Sequence, residues 1–330
     1  MKILLTGATG FLGSAILRRL TLEKADVKVL IRENSNRSNL KGQKVDICIG
    51  DLLDIKSLER AIRGCNILIH TAADYRIWAP NPAEIIESNV QGTKNIMAVA
   101  GSAGVGKIIY TSSVAALGSS SPPGGTTEDT PSSIEEKIGA YKKSKYLAEI
   151  DVLNMHKKDG LPVIIVNPSA PIGPRDIKPT PTGQLVLRAA SGKIPVYVDS
   201  GLNVVHVDDV ADGHLLAIQR GKEGEKYILG GENLTLLQIL TIIADITGQK
   251  PPILKIPHEL ALSIAYISEL WARYFSHTEP FATIDSVKMS EKPMFYNSHK
   301  AITELGYKTR PIKQAFVESI NWYKKYGYIK

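Results

Sequence analysis

Six short apolar runs rich in β-branched residues recur through the first half of the chain: KILLT (2–6), VKVLI (27–31), VDICI (45–49), NILIH (66–70), KIIYTS (107–112) and PVIIVN (162–167). Between most of them the apolar residues fall at helical spacing, over 12–22, 57–63, 83–101 and 140–156. Continuous apolar strands alternating with helices predict a parallel sheet buried on both faces. The fixed hand of crossover connections makes such a sheet doubly wound. A chain of 330 residues that is 43% hydrophobic can bury a core of that size with an appendage, or as two units.

After residue 168 the texture changes. PSAPIGPRDIKPTPTG (168–183) carries five prolines and reads as a structured loop, neither strand nor helix. A strand-and-helix unit follows at 204–221, with Asp208 or Asp209 as the expected cap and Gly221 at its end. At 233–249, Thr235 and Gln238 stand in capping-box spacing and Gly248 closes the helix. Helical patterns continue at 257–275 and 311–326. The expected division is a cofactor domain over 1–167, rejoined by about 204–230, and a smaller, mostly helical substrate-binding part over 168–203 and 231–330. The Ser-, Pro- and Gly-rich tract 118–133 reads as a mobile surface loop or as a lid.

Cys48 and Cys65 lie in apolar-rich segments without a partner motif, so they read as free thiols, and no metal site is expected. The early apolar run stops after Leu5, too short for a signal peptide. The stretch 260–275 contains Glu269 and Arg273 and is too short to span a bilayer. These points favour a cytoplasmic protein. The net charge of +7, from 40 basic and 33 acidic residues, suits an anionic cofactor or substrate. Lys/Arg runs interleaved with aromatics are missing, which argues against nucleic acid. The amphipathic 257–275 segment leaves a membrane-surface contact open, and a homodimer is also open.

The first strand runs directly into TGATGFLGSAILRRL, with Gly7, Gly10 and Gly13 at a strand-to-helix turn. In that setting the glycines let the backbone approach a pyrophosphate, and the helix start offers free N–H groups. Thr9, Phe11 and Leu12 complete this turn. About 20 residues on, a dinucleotide site carries the residue that reads the ribose. Here that position is Arg32, with Arg37 nearby, and a guanidinium forks onto phosphate, favouring NADP over NAD. Glu33 is the competing ribose acceptor. Asp51 and Leu52 follow the third strand, beside the expected adenine. Thr71, Ala72 and Ala73 end the fourth, small enough to leave room for a cofactor. His70 alone reads as a satisfied core histidine. Asn89 sits inside a helix, where Asn fits poorly unless it hydrogen-bonds something. Ser113 ends the fifth strand, and Tyr141 opens the next helix one turn before Lys145.

Taken in order, these features resemble the short-chain dehydrogenase/reductase superfamily, extended branch, over essentially the whole chain. The resemblance rests on Gly7, Gly10, Gly13, Asp51, Asn89, Ser113, Tyr141, Lys145, the NPSAPIGP segment (167–174) and VVHVDDVADGH. Stretches such as AADYRIWAP, GPRDIKPTPTG and YILGGENLTL look closely like hopanoid-associated sugar epimerases, with dihydroflavonol reductases next. The resemblance implies a Rossmann-type sheet, a nicotinamide cofactor held also by Pro168, Ser169 and Ala170, and catalysis by Ser113, Tyr141, Lys145 and Asn89. A free tyrosine has a pKa of about 10, and bringing it near 7 takes about 4 kcal/mol of differential stabilisation. Lys145 and an oxidised nicotinamide are the two cations expected to supply it.

This chain departs from the branch's nucleotide-sugar members at Leu117 (commonly Tyr), Asn167 (commonly Arg) and Ala170 (often Asn). Those departures, with Arg32, favour hydride transfer to or from a ketone or secondary alcohol over epimerisation of a sugar derivative. A cofactor-sensing protein would need no Tyr–Lys pair. Tyr75, Arg76, Trp78, Arg175, Lys178 and Tyr197 lie in loops expected to face the small-molecule substrate.

Overall fold

The computed structural model describes residues 2–118, 124–276 and 280–329. The first half contains β1 (Lys2–Thr6), α1 (Phe11–Leu22), β2 (Asp26–Ile31), β3 (Asp46–Ile49), α2 (Ile55–Ile62), β4 (Ile67–His70), α3 (Ala83–Ser102), β5 (Lys107–Thr111), α4 (Gly139–Asp159) and β6 (Val163–Pro168). Then come β7 (Ala170–Ile172), α5 (Pro181–Ala190), β8 (Val196–Tyr197), β9 (Gly201–His206), α6 (Val207–Arg220) and β10 (Lys226–Leu229). The rest comprises β11 (Glu232–Thr235), α7 (Leu236–Thr247), β12 (Leu254–Lys255), α8 (His258–Trp271), α9 (Ile284–Ser290) and α10 (Ile312–Lys325).

Seven strands form one parallel sheet in the order β10-β6-β5-β4-β1-β2-β3. Side-chain alternation along each strand builds two cores. Ile3, Leu5, Ile69, Ile109 and Val166 face α1 and α6, with Ile16, Val210 and Leu215. Leu4, Leu68, Ile108, Tyr110 and Ile165 face α2, α3 and α4, with Leu58, Met97 and Val152. Strand order reverses between β1 and β4, and ligands of open α/β sheets bind at the strand ends beside such a reversal. A third core joins α5, α7 and α10 to β7 and β9 through Val186, Ile243, Phe316 and Ile172.

The proline tract 168–183 is more regular than expected. Ala170–Ile172 is a strand paired in parallel with Val204–His206, and Pro181 opens α5 behind the Thr180 cap. A strand tolerates Pro171 where its missing N–H is not needed, and the first helical turn tolerates Pro181 for the same reason. The cap of α6 is also corrected. His206 supplies it, its ring accepting the Asp208 N–H at 3.0 Å, while Asp209 turns to the Arg310 guanidinium at 2.7 Å. Gly221 ends α6, and the Thr235–Gln238 capping box and left-handed Gly248 bound α7 as expected.

Within the 118–133 tract, read as a mobile loop or a lid, residues 119–123 lie outside the described residues. The following part is fastened at two positions. Thr126 exchanges backbone hydrogen bonds with Phe295 and Asn297, and buried Glu128 accepts the Ile228 N–H at 2.7 Å. Both cysteines are free, but only Cys65 is buried.

Candidate active site

The turn between β1 and α1 is shaped by what its glycines lack. Gly7 has φ +75°, and a Cβ there would stand 2.7 Å from the Ala72 nitrogen. A Cβ on Gly13 would stand 2.1 Å from the Gly7 carbonyl oxygen. Gly10 caps α1 with no side chain, so the amide N–H groups of the first helical turn stay available, the arrangement that accepts phosphate. Phe11 is buried under the turn and Leu12 packs beside it. Asn39 was not foreseen here. It is buried and donates its amide to the carbonyls of Thr9 (3.1 Å) and Arg175 (3.4 Å). Arg175, expected at the substrate, therefore sits beside the cofactor turn, held at φ +74°.

At the end of β4 the backbone is fixed by histidines in opposite tautomers. Thr6 Oγ1 accepts the N–H groups of Thr71 and Ala72, both at 3.2 Å, so its own hydrogen goes to His70 Nδ1 at 2.8 Å. His70 Nε2–H then donates to Thr93 at 3.1 Å. His214 runs the other way: Nδ1–H donates to the Val210 carbonyl, so Nε2 accepts from Thr111, which accepts from Thr71. Burial keeps both rings neutral, with pKa values lowered to about 3 for His70 and about 4 for His214. His70 is thus a structural histidine whose network sets Thr71 and Ala72 at the sheet edge; Ala73 follows them.

Arg32 is the first residue beyond β2 and is exposed; among the described residues no carboxylate pairs with it. Glu33 is drawn to Arg37 at 3.9 Å. Asp51 folds one carboxylate oxygen onto the Leu53 N–H, and the Leu52 carbonyl takes the Asn95 amide, tying this loop to α3.

Ser113 and Tyr141 meet across the end of β5. Burial, the larger effect, raises the Tyr141 pKa, and the Ser113 hydroxyl lowers it by hydrogen bonding to the phenol oxygen. The lowering expected from Lys145 is missing: Lys145 Nζ donates to the Thr111 carbonyl at 2.8 Å and lies 5.1 Å from the Tyr110 ring centre. Burial brings Lys145 itself down to about 8, opposed by Glu149. Glu149 and Asn167 were also not foreseen. The Glu149 carboxylate accepts from Ser112 Oγ (2.5 Å) and Asn167 Nδ2 (2.7 Å), and Asn167 also donates to the Ser113 carbonyl (3.0 Å). The 141, 145, 149 spacing on one helix face was the available signal for Glu149. Asn167 Oδ1 and Ser169 Oγ are buried without a partner beside Pro168, polar capacity suited to a ligand at the strand end, where Ala170 follows. The glycine cradle, open helix start and these orphaned oxygens fit a dinucleotide.

Asn89 takes a clamping place. It binds the Asp74 N–H and carbonyl and the Ser144 hydroxyl, at 2.7 to 2.9 Å, which leaves neither amide hydrogen for substrate. Arg76 is forked onto Asp74, with Nη2 2.6 Å from Oδ2. Tyr75 OH donates to the Lys178 carbonyl at 3.1 Å, bringing those two together, and Trp78 is half-buried nearby in sequence. Tyr197 pairs with β12 in a separate small sheet.

The sequence model of the NAD dependent epimerase/dehydratase family matches residues 3–230. A dihydroflavonol 4-reductase candidate of Synechocystis sp. is 43% identical, covering 98% of this chain and 95% of that protein. Sterol demethylase protein B of Methylococcus capsulatus is 34% identical over all of both chains. The crystal structure of gox2253 superposes with a TM-score of 0.90, at 49% identity, covering 100% of this chain and 99% of that one. A glycine cradle, a Ser–Tyr–Lys set and likeness along the full chain thus point the same way. This chain belongs to the NAD dependent epimerase/dehydratase family, the extended branch of the short-chain dehydrogenase/reductases, and is an NAD(P)-dependent oxidoreductase or epimerase.

Proposed function

We propose that the protein catalyses NADP-dependent reduction of a ketone on a lipophilic substrate. The carrying observation is the apolar part of the cavity wall that begins two residues past Ser113, made by Ala115, Leu117, Ile138, Met289 and Met294. The names of two relatives, a flavonoid reductase and a sterol-processing protein, support such a substrate. In this reading residues 1–167 with 204–230 hold the cofactor, and 168–203 with 231–330 hold the substrate.

A bound nicotinamide supplies or accepts the hydride. Ser113 Oγ accepts the Ala115 N–H at 3.1 Å and turns its hydroxyl hydrogen from the Tyr141 oxygen to the substrate oxygen. Tyr141 holds the proton that this oxygen takes up. The Glu149–Asn167–Ser113 contacts fix the serine backbone, and Lys145 keeps N–H groups for a ribose. Arg32 supports NADP, since its guanidinium stands uncommitted while Glu33 leans on Arg37.

Epimerisation is the second reading, favoured by the family match. Deuterium decides between them. With NADP²H and ketone panels, label in the product and stoichiometric cofactor oxidation are expected. Inversion at a sugar carbon, with no cofactor consumed and no label gained, would replace reduction by epimerisation.

A lipophilic substrate also needs access. The outer face of α8 and the turn after it exposes Ile264, Ile267 (66%), Trp271 (60%), Tyr274 and Phe275 (69%), with Ala261, Ala265 and Ala272 buried beneath. With the net charge of +7, this aromatic stripe suits an anionic bilayer surface.

A further inference from the structure

A cavity of about 260 Å³ is lined by sequence neighbours of the oxygen-binding pair: Lys142 directly follows Tyr141, and Ala115 stands two residues past Ser113. Its apolar wall is interrupted by four lysines, Lys137, Lys142, Lys288 and Lys292, against two acids, Glu136 and Glu291. Among the described residues none of the four lysines forms an ion pair. Lys137 is buried and donates to the Leu117 carbonyl, which fixes it at the inner end. Lys142 is half-buried, and the polar contact of its Nζ is the Met294 sulfur at 3.5 Å. A thioether is a weak acceptor, so it compensates little of the water this half-buried ammonium has lost. Burial is the one cause acting on its pKa, which it lowers.

A half-buried lysine without an ion pair among the described residues, next in sequence to Tyr141, is explained by an anion that arrives with the ligand. We propose that the substrate carries an anionic group, a carboxylate or a phosphate, on an apolar body, and that Lys142 is the residue that selects it. This rests on the reading of Ser113 and Tyr141 as the oxygen-binding pair. The apolar wall takes the body, Lys142 and Lys137 meet the charge inside, and Lys288 and Lys292, both exposed, draw it in from the rim.

The test measures binding, so it does not depend on turnover. Decanoate, decyl phosphate and methyl decanoate are titrated calorimetrically into the NADP-loaded protein, into Tyr141→Phe, and into Lys142→Met and Lys142→Arg. Wild type and Tyr141→Phe are expected to bind one of the anions at least about tenfold tighter than the ester, one charge-assisted contact's worth. The preferred anion identifies the group. Lys142→Met should fold at least as stably, lose the preference and keep NADP affinity, while Lys142→Arg retains the preference. Equal affinity for anions and ester in wild type, or a preference surviving in Lys142→Met, would overturn the proposal. If ketone reduction failed while the anion preference held, the reaction would be wrong and the subsite right.

Discussion

A buried phenol is a reluctant acid, and the chain alone leaves Tyr141 that way: burial outweighs the Ser113 hydrogen bond and holds its pKa above the ordinary value. Lys145 turns its ammonium to the Thr111 carbonyl and does not lower this pKa, so the oxidised cofactor is the positive charge that would. Tyrosinate absorbance should therefore show no Tyr141 titration below pH 10 in the cofactor-free protein, and a downward shift once NADP⁺ is added. Wild type minus Tyr141→Phe isolates that signal. Tyr141→Phe should also lower kcat by about 10²–10⁴ while the cofactor Kd stays within a few-fold; near-normal turnover would remove Tyr141 from the reaction. Arg32→Asp should reverse the preference for NADPH over NADH, moving affinity about ten- to a hundredfold. Equal wild-type affinities would pass that role to Glu33 or the backbone. That Ser113, Tyr141 and Lys145 gather at the end of β5 was legible because spacing and strand-end position are local. Asn39, the place of Arg175 and the clamping by Asn89 were not, because each depends on contacts between distant segments.

Elements were legible where they repeat a pattern. The first six strands fall within a residue or two of the apolar runs. The strand Ala170–Ile172 was hidden by Pro171, whose partner β9 lies some thirty residues on. The glycine turn shows why element packing leaves no slack. With a Cβ at position 13 only 2.1 Å from the Gly7 oxygen, Gly13→Ala must push backbone. It is expected to cost about 1–3 kcal/mol in chemical denaturation and to abolish tight cofactor binding; normal values for both would mean the turn adapts. The helix α8 makes a different prediction. Wild type should float with vesicles rich in anionic phospholipid and less with neutral ones, and Ile267→Ser with Trp271→Ser should stay with the soluble fraction at unchanged fold. Equal recovery of wild type and variant would remove the bilayer as its partner.

Across the whole molecule, acid stability gathers the buried histidines. His70 and His214 are neutral in the fold, with pKa values near 3 and 4, against about 6.5 once unfolded. The unfolded chain therefore takes up their protons first, and each ring's share of stability is lost as pH falls below 6.5. From about pH 6 to 4.5, His214→Gln should show a shallower decline than wild type, by about 1.4 kcal/mol per pH unit. Parallel declines would mean that His214 is charged or reachable by water. The doubly wound class was legible from the first half of the chain because alternating apolar runs report both buried faces. The pairing of β7 with β9 outside the main sheet was not, while the chain, expected to rejoin the first part over about 204–230, returns to the sheet with β10. That return has a consequence for synthesis. Six strands of the sheet are available once Pro168 has emerged, yet the part of the face bearing Ile3, Leu5, Ile69 and Ile109 that α1 leaves open is covered by α6, which ends roughly fifty residues later. At about 5–20 residues per second, the growing chain carries that bare apolar surface for roughly 3–10 s on the ribosome, the interval in which a chaperone has most to shield.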